Sequence, residues 1–152
     1  MHDSVTVQMA APADQIWDLI ADVTNVGRFS PETYGAEWLG SATGPAAGVK
    51  FRGHVNRNGW GLKYATICKI VTCEPNREFA FAVLGPRDMA VNTWRYVLTP
   101  TETGTAVTES FQLGNAMRLY WLLAGWTRGK TNRDNMLETL NRIKKVVEEP
   151  QR

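Results

Sequence analysis

The chain lacks three features that would each point to a class of protein. It contains no apolar run near the ~18 residues that suggest a membrane-spanning helix, so we expect no stable membrane span. Its net charge is only +2, from 17 basic and 15 acidic residues, without a basic run. We therefore expect no nucleic-acid partner. The first residues, MHDSVTVQMAAP, lack a basic segment followed by an apolar one, which predicts no signal peptide and a cytoplasmic protein.

Cysteine is also scarce, with only Cys68 and Cys73 in the sequence. On one strand these residues would lie roughly 16 Å apart, whereas a disulfide needs Cα atoms within about 7 Å. Their odd spacing predicts side chains on opposite faces, and we expect free thiols in a reducing compartment. No second pair of ligands has metal-site spacing, and nucleotide-binding glycine loops and HExxH motifs are absent. The sequence therefore predicts no metal and no cofactor, and it offers no motif for an enzyme.

The length and the pattern of apolar residues predict one domain over residues 1–152. Alternation predicts a first strand at 4–10, and helical periodicity predicts short helices at 13–21 and 22–29. A short strand is predicted at 36–39. Further strands are predicted at 49–57, 61–74, 78–84, 91–99 and 104–113, with short turns that indicate an antiparallel meander.

The last part of the chain predicts a long amphipathic helix over residues 131–149. Met136, Leu140 and Ile143 recur at helical spacing, and Thr131 or Asn132 would cap the start of the helix. The order of elements predicts an α+β fold. In it, a curved antiparallel sheet of about seven strands wraps around the long C-terminal helix, with two short helices after strand 1.

The hairpin at residues 92–113 holds one carboxylate in an apolar face. Trp94 and Tyr96 on one strand and Phe111 on the other point the same way as Glu109. A buried carboxylate is costly unless it is paired or protonated. Glu109 is therefore predicted either to form an ion pair, with Arg118 or Arg133, or to lie near an open rim, or to face a cavity. In a cavity it would anchor a ligand or act as a general acid or base with a raised pKa.

Several stretches, in order, match a known family: APADQIW (11–17), GVKFRG (48–53) with Asn56, EPNREFAF (74–81), TWRY (93–96), GTAVTESF (104–111) and MLETLNRIK (136–144). On these the chain resembles the START-like, or SRPBCC, superfamily, and within it the polyketide cyclase/dehydrase and lipid-transport group. The resemblance implies the helix-grip fold over nearly the whole chain. Because the superfamily includes lipid carriers, hormone receptors, aromatase/cyclases, oxygenase domains and cochaperone activators, it leaves the function to be argued from the site.

Taken together, these features predict binding or transport of a small hydrophobic or amphipathic ligand, lipid-like or polyketide-like, in a cavity between the sheet and the C-terminal helix. Tyrosine hydroxyls and tryptophan N–H groups would be the few hydrogen-bonding groups of this cavity. The same aromatic residues would also suit a filled core. The candidate ligand-binding residues are Phe51, Trp60, Tyr64, Phe81, Trp94, Tyr96, Glu109, Phe111, Met136 and Leu140.

A polyketide cyclase or dehydratase is the first alternative, without a metal or nucleotide cofactor. Glu109, Tyr64 or His54 would then move protons, and at least two polar groups would have to meet inside the cavity. His54 is expected to face outward together with Arg52, unless a bulge at Gly53 reverses the register.

Residues 116–126, AMRLYWLLAGW, are apolar nearly all round. They would form a lid, a dimer contact, a transient membrane contact or the start of a buried helix. The basic residues Arg118, Arg128, Lys130 and Arg133 near this end would be a solvated rim or would meet a lipid headgroup. A second alternative function is a regulatory protein-interaction domain that docks through residues 121–126. Both a monomer and a homodimer fit the sequence.

Overall fold

The computed structural model describes residues 2–56, 63–114 and 126–149, with the backbone alone at His2 and at residues 126–131. Within these ranges, the chain forms strands and helices in this order: β1 (His2–Met9), α1 (Ala13–Ala21), a 3₁₀ helix (Val23–Arg28), β2 (Thr33–Trp38), β3 (Lys50–Asn56), β4 (Lys63–Glu74), β5 (Glu78–Leu84), a 3₁₀ turn (Pro86–Asp88), β6 (Ala90–Thr101), β7 (Gly104–Leu113) and α2 (Trp126–Glu148).

The seven strands form one antiparallel sheet in the order β1-β7-β6-β5-β4-β3-β2. Strands β2 to β7 follow one another as neighbours, and β1 pairs with β7 at the far side. The sheet is curved, and α2 packs on the β1 and β7 side of its concave face. This arrangement confirms the predicted α+β, helix-grip architecture.

The two short helices after β1 form for local reasons. Helix α1 follows Pro12, whose missing backbone N–H is tolerated at the start of a helix, and it buries Ile16, Trp17 and Ile20 on one face. The 3₁₀ helix is capped by Asp22, whose carboxylate accepts a hydrogen bond from the Thr24 backbone N–H at 3.1 Å. Both short helices were predicted, and both pack against the core.

The start of the long helix differs from the prediction. Helix α2 begins at Trp126, so Thr131 and Asn132 lie inside it and do not cap it. The polar side chain of Asn132 is 5% exposed and turned toward the sheet. Asparagine resembles a cap in sequence because its side chain can accept a backbone N–H bond. Here that side chain is a buried group of a helix interior.

A β-bulge in β4 corrects the prediction for the two cysteines. The register shifts between Ile70, which pairs with Phe81, and Thr72, which pairs with Ala80. The extra residue moves every later side chain of β4 to the other face. Cys73 therefore lies on the same concave face as Cys68, and the prediction of opposite faces is wrong. Both thiols are free, as predicted.

One end of the concave face is filled with apolar side chains, and we call it the packed end. Trp17 of α1 meets Phe79 of β5 edge to face, with ring centroids 5.9 Å apart. The members of the packed end include Met9, Ile16, Trp17, Leu19, Ile20, Phe79, Leu98, Val107, Leu140 and Ile143. It joins α1, the sheet and the C-terminal half of α2 into one core.

Candidate functional site

A cavity of about 590 Å³ lies at the other end of the concave face, and we call this region the hollow end. The N-terminal half of α2, the 3₁₀ helix and strands from β2 to β7 line it. Its volume lies in the range of about 300–1,000 Å³ that is usual for small-molecule sites. The concave face is therefore only partly filled by the protein's own side chains.

Most of the residues predicted to bind a ligand line this cavity. Tyr64 is 42% exposed, so the cavity reaches the surface there. Leu140 belongs instead to the packed end, where it is fully buried, and Trp60 lies outside the described residues. The predicted residues that the cavity brings together are Phe51, Tyr64, Phe81, Trp94, Tyr96, Glu109, Phe111 and Met136.

Aromatic side chains line the cavity in cross-strand pairs. Trp94 of β6 lies directly opposite Phe111 of β7, and their ring centroids are 4.8 Å apart. Phe51 of β3 meets Phe81 of β5 edge to face at 5.3 Å. Because aromatic side chains bury large apolar surfaces with few rotamers, these pairs give the cavity rigid apolar sides.

Glu109 lies among these aromatic residues and is 3% exposed. The Tyr96 hydroxyl donates a hydrogen bond to Glu109 Oε1 at 3.0 Å. Glu109 Oε2 is buried and has no hydrogen-bond partner within the described part of the chain. Burial raises the pKa of Glu109 to about 8, although the Tyr96 hydrogen bond partly opposes this effect. At neutral pH the carboxyl group is therefore mainly protonated and can donate a hydrogen bond.

Tyr96 is held by the same pair of strands, directly opposite Glu109. Burial and the nearby Glu109 carboxyl group raise the pKa of its hydroxyl well above the usual value. Tyr96 thus stays protonated and keeps donating to Glu109. The pair places two polar groups together inside an otherwise aromatic part of the cavity.

The predicted ion pair between Glu109 and Arg133 is not formed. Arg133 instead binds Asp3 of β1, with Nη2 at 2.7 Å and Nε at 3.2 Å from its carboxylate oxygens. Arg118 and the side chains of Arg128 and Lys130 lie outside the described residues. Among the described residues that line the cavity, the side-chain carboxyl groups are those of Glu32 and Glu109, and Glu32 accepts a hydrogen bond from Asn135 at 2.9 Å.

His54, the third candidate for proton transfer, lies on the convex face of the sheet. Its Nε2 is 3.1 Å from Glu37 Oε1, and Arg52 binds the same oxygen at 3.3 Å. Hydrogen bonding to His54, together with Arg52, lowers the pKa of Glu37. The pairing of β3 with β4 is regular at Gly53, so the outward orientation predicted for His54 is confirmed. His54 is separated from the cavity by the sheet.

Sequence reasoning missed a set of polar side chains that line the cavity. Asn132 and Thr139 of α2 are 5% and 6% exposed, at helical spacing from Met136. Asn92 of β6 precedes Trp94 and Tyr96 on the same face of its strand, and its Oδ1 is buried without a hydrogen-bond partner among the described residues. The sequence does contain a signal for these residues. Each lies at the strand or helix spacing that places it on the same face as the inward apolar residues. Residues 115–125, which make up nearly all of the apolar segment 116–126, lie outside the described residues.

A curved sheet, a long helix and an apolar cavity between them define a domain that binds hydrophobic ligands. The family model described as polyketide cyclase / dehydrase and lipid transport matches residues 2–148, and the chain belongs to this family. No helix within the described ranges is long and apolar enough to cross a membrane. A search of curated proteins found no match.

Solved structures share the fold over nearly the whole chain. A Polyketide_cyc-like protein from Corynebacterium glutamicum is 26% identical, with a TM-score of 0.59 over 97% of this chain and 91% of its own. The protein Ms6760 from Mycobacterium smegmatis is 20% identical, with a TM-score of 0.67 over 95% and 89%. The di-domain ARO/CYC protein BexL from the BE-7585A biosynthetic pathway is 20% identical, with a TM-score of 0.72 over 99% of this chain and 51% of BexL.

Proposed function

We propose that this protein binds a small hydrophobic or amphipathic molecule, lipid-like or polyketide-like, in the hollow end, and carries it shielded from water. The observation that carries this proposal is the cavity of about 590 Å³ with aromatic sides and one carboxyl group whose Oε2 lacks a partner among the described residues. Membership of the polyketide cyclase / dehydrase and lipid transport family supports it.

The cavity chemistry suits such a ligand. Apolar burial contributes roughly 25 cal/mol per Å², so a ligand that buries on the order of 200 Å² of apolar surface gains about 5 kcal/mol before entropic costs. The mainly protonated Glu109 can then donate a hydrogen bond from Oε2 to an oxygen of the ligand. The apolar sides would supply affinity, and the Tyr96–Glu109 pair would orient the ligand.

A pair of variants on β4 tests this proposal. Thr66 lines the cavity, whereas its neighbour Ala65 is exposed on the other face. Thr66→Trp should fill the cavity, and Ala65→Trp should add the same side chain outside it. We expect unaltered protein and Ala65→Trp to bind the neutral dye N-phenyl-1-naphthylamine with enhanced fluorescence. Binding to Thr66→Trp should be at least tenfold weaker.

Native mass spectrometry of the purified protein complements the dye measurement. A bound lipid or polyketide-like molecule that is retained by unaltered protein and by Ala65→Trp, and lost from Thr66→Trp, supports the proposal. Equal dye binding by the two variants contradicts it, provided that circular dichroism shows both to be folded.

A cyclase or dehydratase is the second candidate function, and the Tyr96–Glu109 pair favours it. Two polar groups meet inside the cavity, as this function requires, and a pKa of about 8 suits Glu109 as a general acid near neutral pH. Glu109 would protonate the departing hydroxyl group of a bound β-hydroxy ketone, so that the C–O bond breaks and water leaves. The Glu109 carboxylate formed in this way would take up the α-proton of the ketone, whose C–H electron pair forms the C=C bond of the enone, and Glu109 would be protonated again. The cavity would hold the chain in a reactive conformation.

Mass spectrometry of product formation separates this enzyme from a carrier. A β-hydroxy ketone with an aromatic tail should lose water in the presence of the protein. Glu109→Gln should bind this ketone with little change and abolish the reaction. If unaltered protein binds the ketone and releases it unchanged, the result supports the carrier function and contradicts the dehydratase function.

A further inference from the structure

We propose that the ligand of the hollow end has a flat apolar body with a hydrogen-bonding group at each end, one held by the Tyr96–Glu109 pair and the other by Asn92. This inference rests on the proposed function, because it assumes that the cavity binds a ligand. It adds the class of ligand, a rigid molecule with two polar ends, in place of a lipid with a single polar head.

The first support is the pair of unsatisfied oxygens in the cavity. Glu109 Oε2 and Asn92 Oδ1 are both buried, and neither has a hydrogen-bond partner within the described ranges. Buried polar atoms are hydrogen-bonded in most proteins, and exceptions require an explanation. Two such atoms in one cavity are explained if the bound ligand supplies both partners.

The second support is the distance between the two groups. Asn92, Trp94 and Tyr96 alternate along β6 and line the same cavity. Four residues of extended strand separate Asn92 from Tyr96 by roughly 13 Å. Glu109 lies directly opposite Tyr96 on β7. The two polar groups thus lie at opposite ends of one strip of the sheet.

The third support is the surface between them. Trp94 and the facing Phe111 occupy the middle of this strip, with ring centroids 4.8 Å apart. Aromatic side chains offer flat apolar surfaces that favour contact with flat ligands. A rigid ligand that spans the strip would meet apolar rings in its middle and a polar group at each end.

The chemistry of the two ends also restricts the ligand. The mainly protonated Glu109 donates a hydrogen bond, and the primary amide of Asn92 can donate or accept. A hydroxyl or carbonyl oxygen suits the Glu109 end, whereas Asn92 Oδ1 needs a donor such as a hydroxyl group. A ligand with one polar head would leave one group unpaired, and a site built around hydrogen bonds discriminates against such a ligand.

Three stilbenes that differ only in hydroxyl groups test the inference. Dissociation constants of 4,4′-dihydroxy-trans-stilbene, 4-hydroxy-trans-stilbene and trans-stilbene would be measured by isothermal titration calorimetry at pH 7. Each hydroxyl should tighten binding about 5- to 10-fold, which is the usual contribution of one hydrogen bond. The dihydroxy compound should therefore bind on the order of 50-fold more tightly than trans-stilbene.

Two asparagine variants provide the matched control. Asn92→Leu should weaken binding of the dihydroxy compound until its dissociation constant equals that of the monohydroxy compound. The dissociation constant of trans-stilbene should not change. Asn56 also has a buried oxygen without a partner in the described ranges, but it does not line the cavity. Asn56→Leu should change none of the three constants.

The outcomes separate this inference from the proposed function. If the monohydroxy and dihydroxy compounds bind equally well, two-ended recognition is wrong, although binding in the cavity stands. The same holds if Asn92→Leu weakens all three compounds equally. If neither the stilbenes nor N-phenyl-1-naphthylamine binds, the proposed function itself fails. The ligand series on unaltered protein decides the question even if a variant does not fold.

Discussion

The packed end and the hollow end share three elements, β6, β7 and α2. On β6, Leu98 lies in the packed end and Trp94 in the hollow end. On α2, the fully buried Leu140 packs against the core, while Met136, one turn earlier, faces the cavity. The fold alone therefore does not determine whether one end of the concave face is filled by side chains. The side chains at inward positions decide it.

Buried polar groups differ between the two ends. In the packed end, Thr105 is fully buried and its hydroxyl donates to the Ala11 carbonyl at 2.9 Å. In the hollow end, the oxygens of Glu109 and Asn92 lack partners within the described ranges. A buried polar group with a structural role has its hydrogen-bond partner within the chain. In a binding site, the ligand supplies the hydrogen-bond partner instead. Three predictions test this contrast, beginning with the largest expected effect.

Truncation of one side chain at each end should give unequal losses of stability. Leu140→Ala should lower the free energy of unfolding by about 3–4 kcal/mol, because it opens a void in a filled core. Met136→Ala should cost about 1–2 kcal/mol, since its side chain already borders a cavity and less new void is created. Urea denaturation measures both values. Equal losses would mean that the hollow end is as tightly packed as the core.

The pH dependence of stability should report Glu109. Its pKa is about 8 in the folded protein, against a usual value of 4.5, so the folded state retains a proton that the unfolded chain releases. The stabilisation is complete below about pH 4.5 and is lost as the pH rises through 8. Relative to Glu109→Gln, unaltered protein should lose about 2 kcal/mol between pH 6 and pH 8.

Urea titrations of both proteins at several pH values measure this difference. Subtraction of the glutamine variant removes the contribution of all other titrating groups. A difference that stays constant across this pH range would show that Glu109 has an ordinary pKa, and that the hollow end is wetter than the structure indicates.

Removal of one buried polar group from each end should give the smallest effect. Thr105→Val removes the donor to the Ala11 carbonyl and should cost about 1–2 kcal/mol. Asn92→Leu removes an amide whose oxygen lacks a partner among the described residues, so it should leave the stability of the ligand-free protein unchanged or slightly raise it. Thermal denaturation of purified, ligand-free protein measures both. A similar loss from both variants would contradict the contrast between the two ends.

Much of the fold follows from the sequence because its elements have strong periodicity. The alternation of Trp94, Tyr96 and Leu98, and of Val107, Glu109 and Phe111, correctly predicted strands β6 and β7 and their inward faces. The bulge after Ile70 was not predicted. A bulge adds one residue without changing the composition of a strand, so the pattern of residues on either side looks like ordinary alternation.

The cavity residues were only partly predictable. Aromatic residues and Glu109 stood out because they are large, or charged within an apolar face. Asn132 was interpreted as a cap and Asn92 as the start of a hairpin, because polar residues usually lie at the ends of elements. Their burial depends on the position of α2 over the sheet, which results from tertiary packing. The available signal was their spacing, since Asn132 lies four residues from Met136 on α2 and Asn92 alternates with Trp94 on β6.

The continuity of β6, β7 and α2 from one end to the other couples ligand binding to the melting of the whole molecule. A ligand that binds only the folded state at 100 times its dissociation constant adds about 2.7 kcal/mol to the free energy of unfolding. For a protein of this size, such a gain corresponds to a rise of roughly 5–10 °C in the melting temperature. A thermal-shift screen of a chemical library therefore detects occupancy of the cavity without any knowledge of the natural ligand.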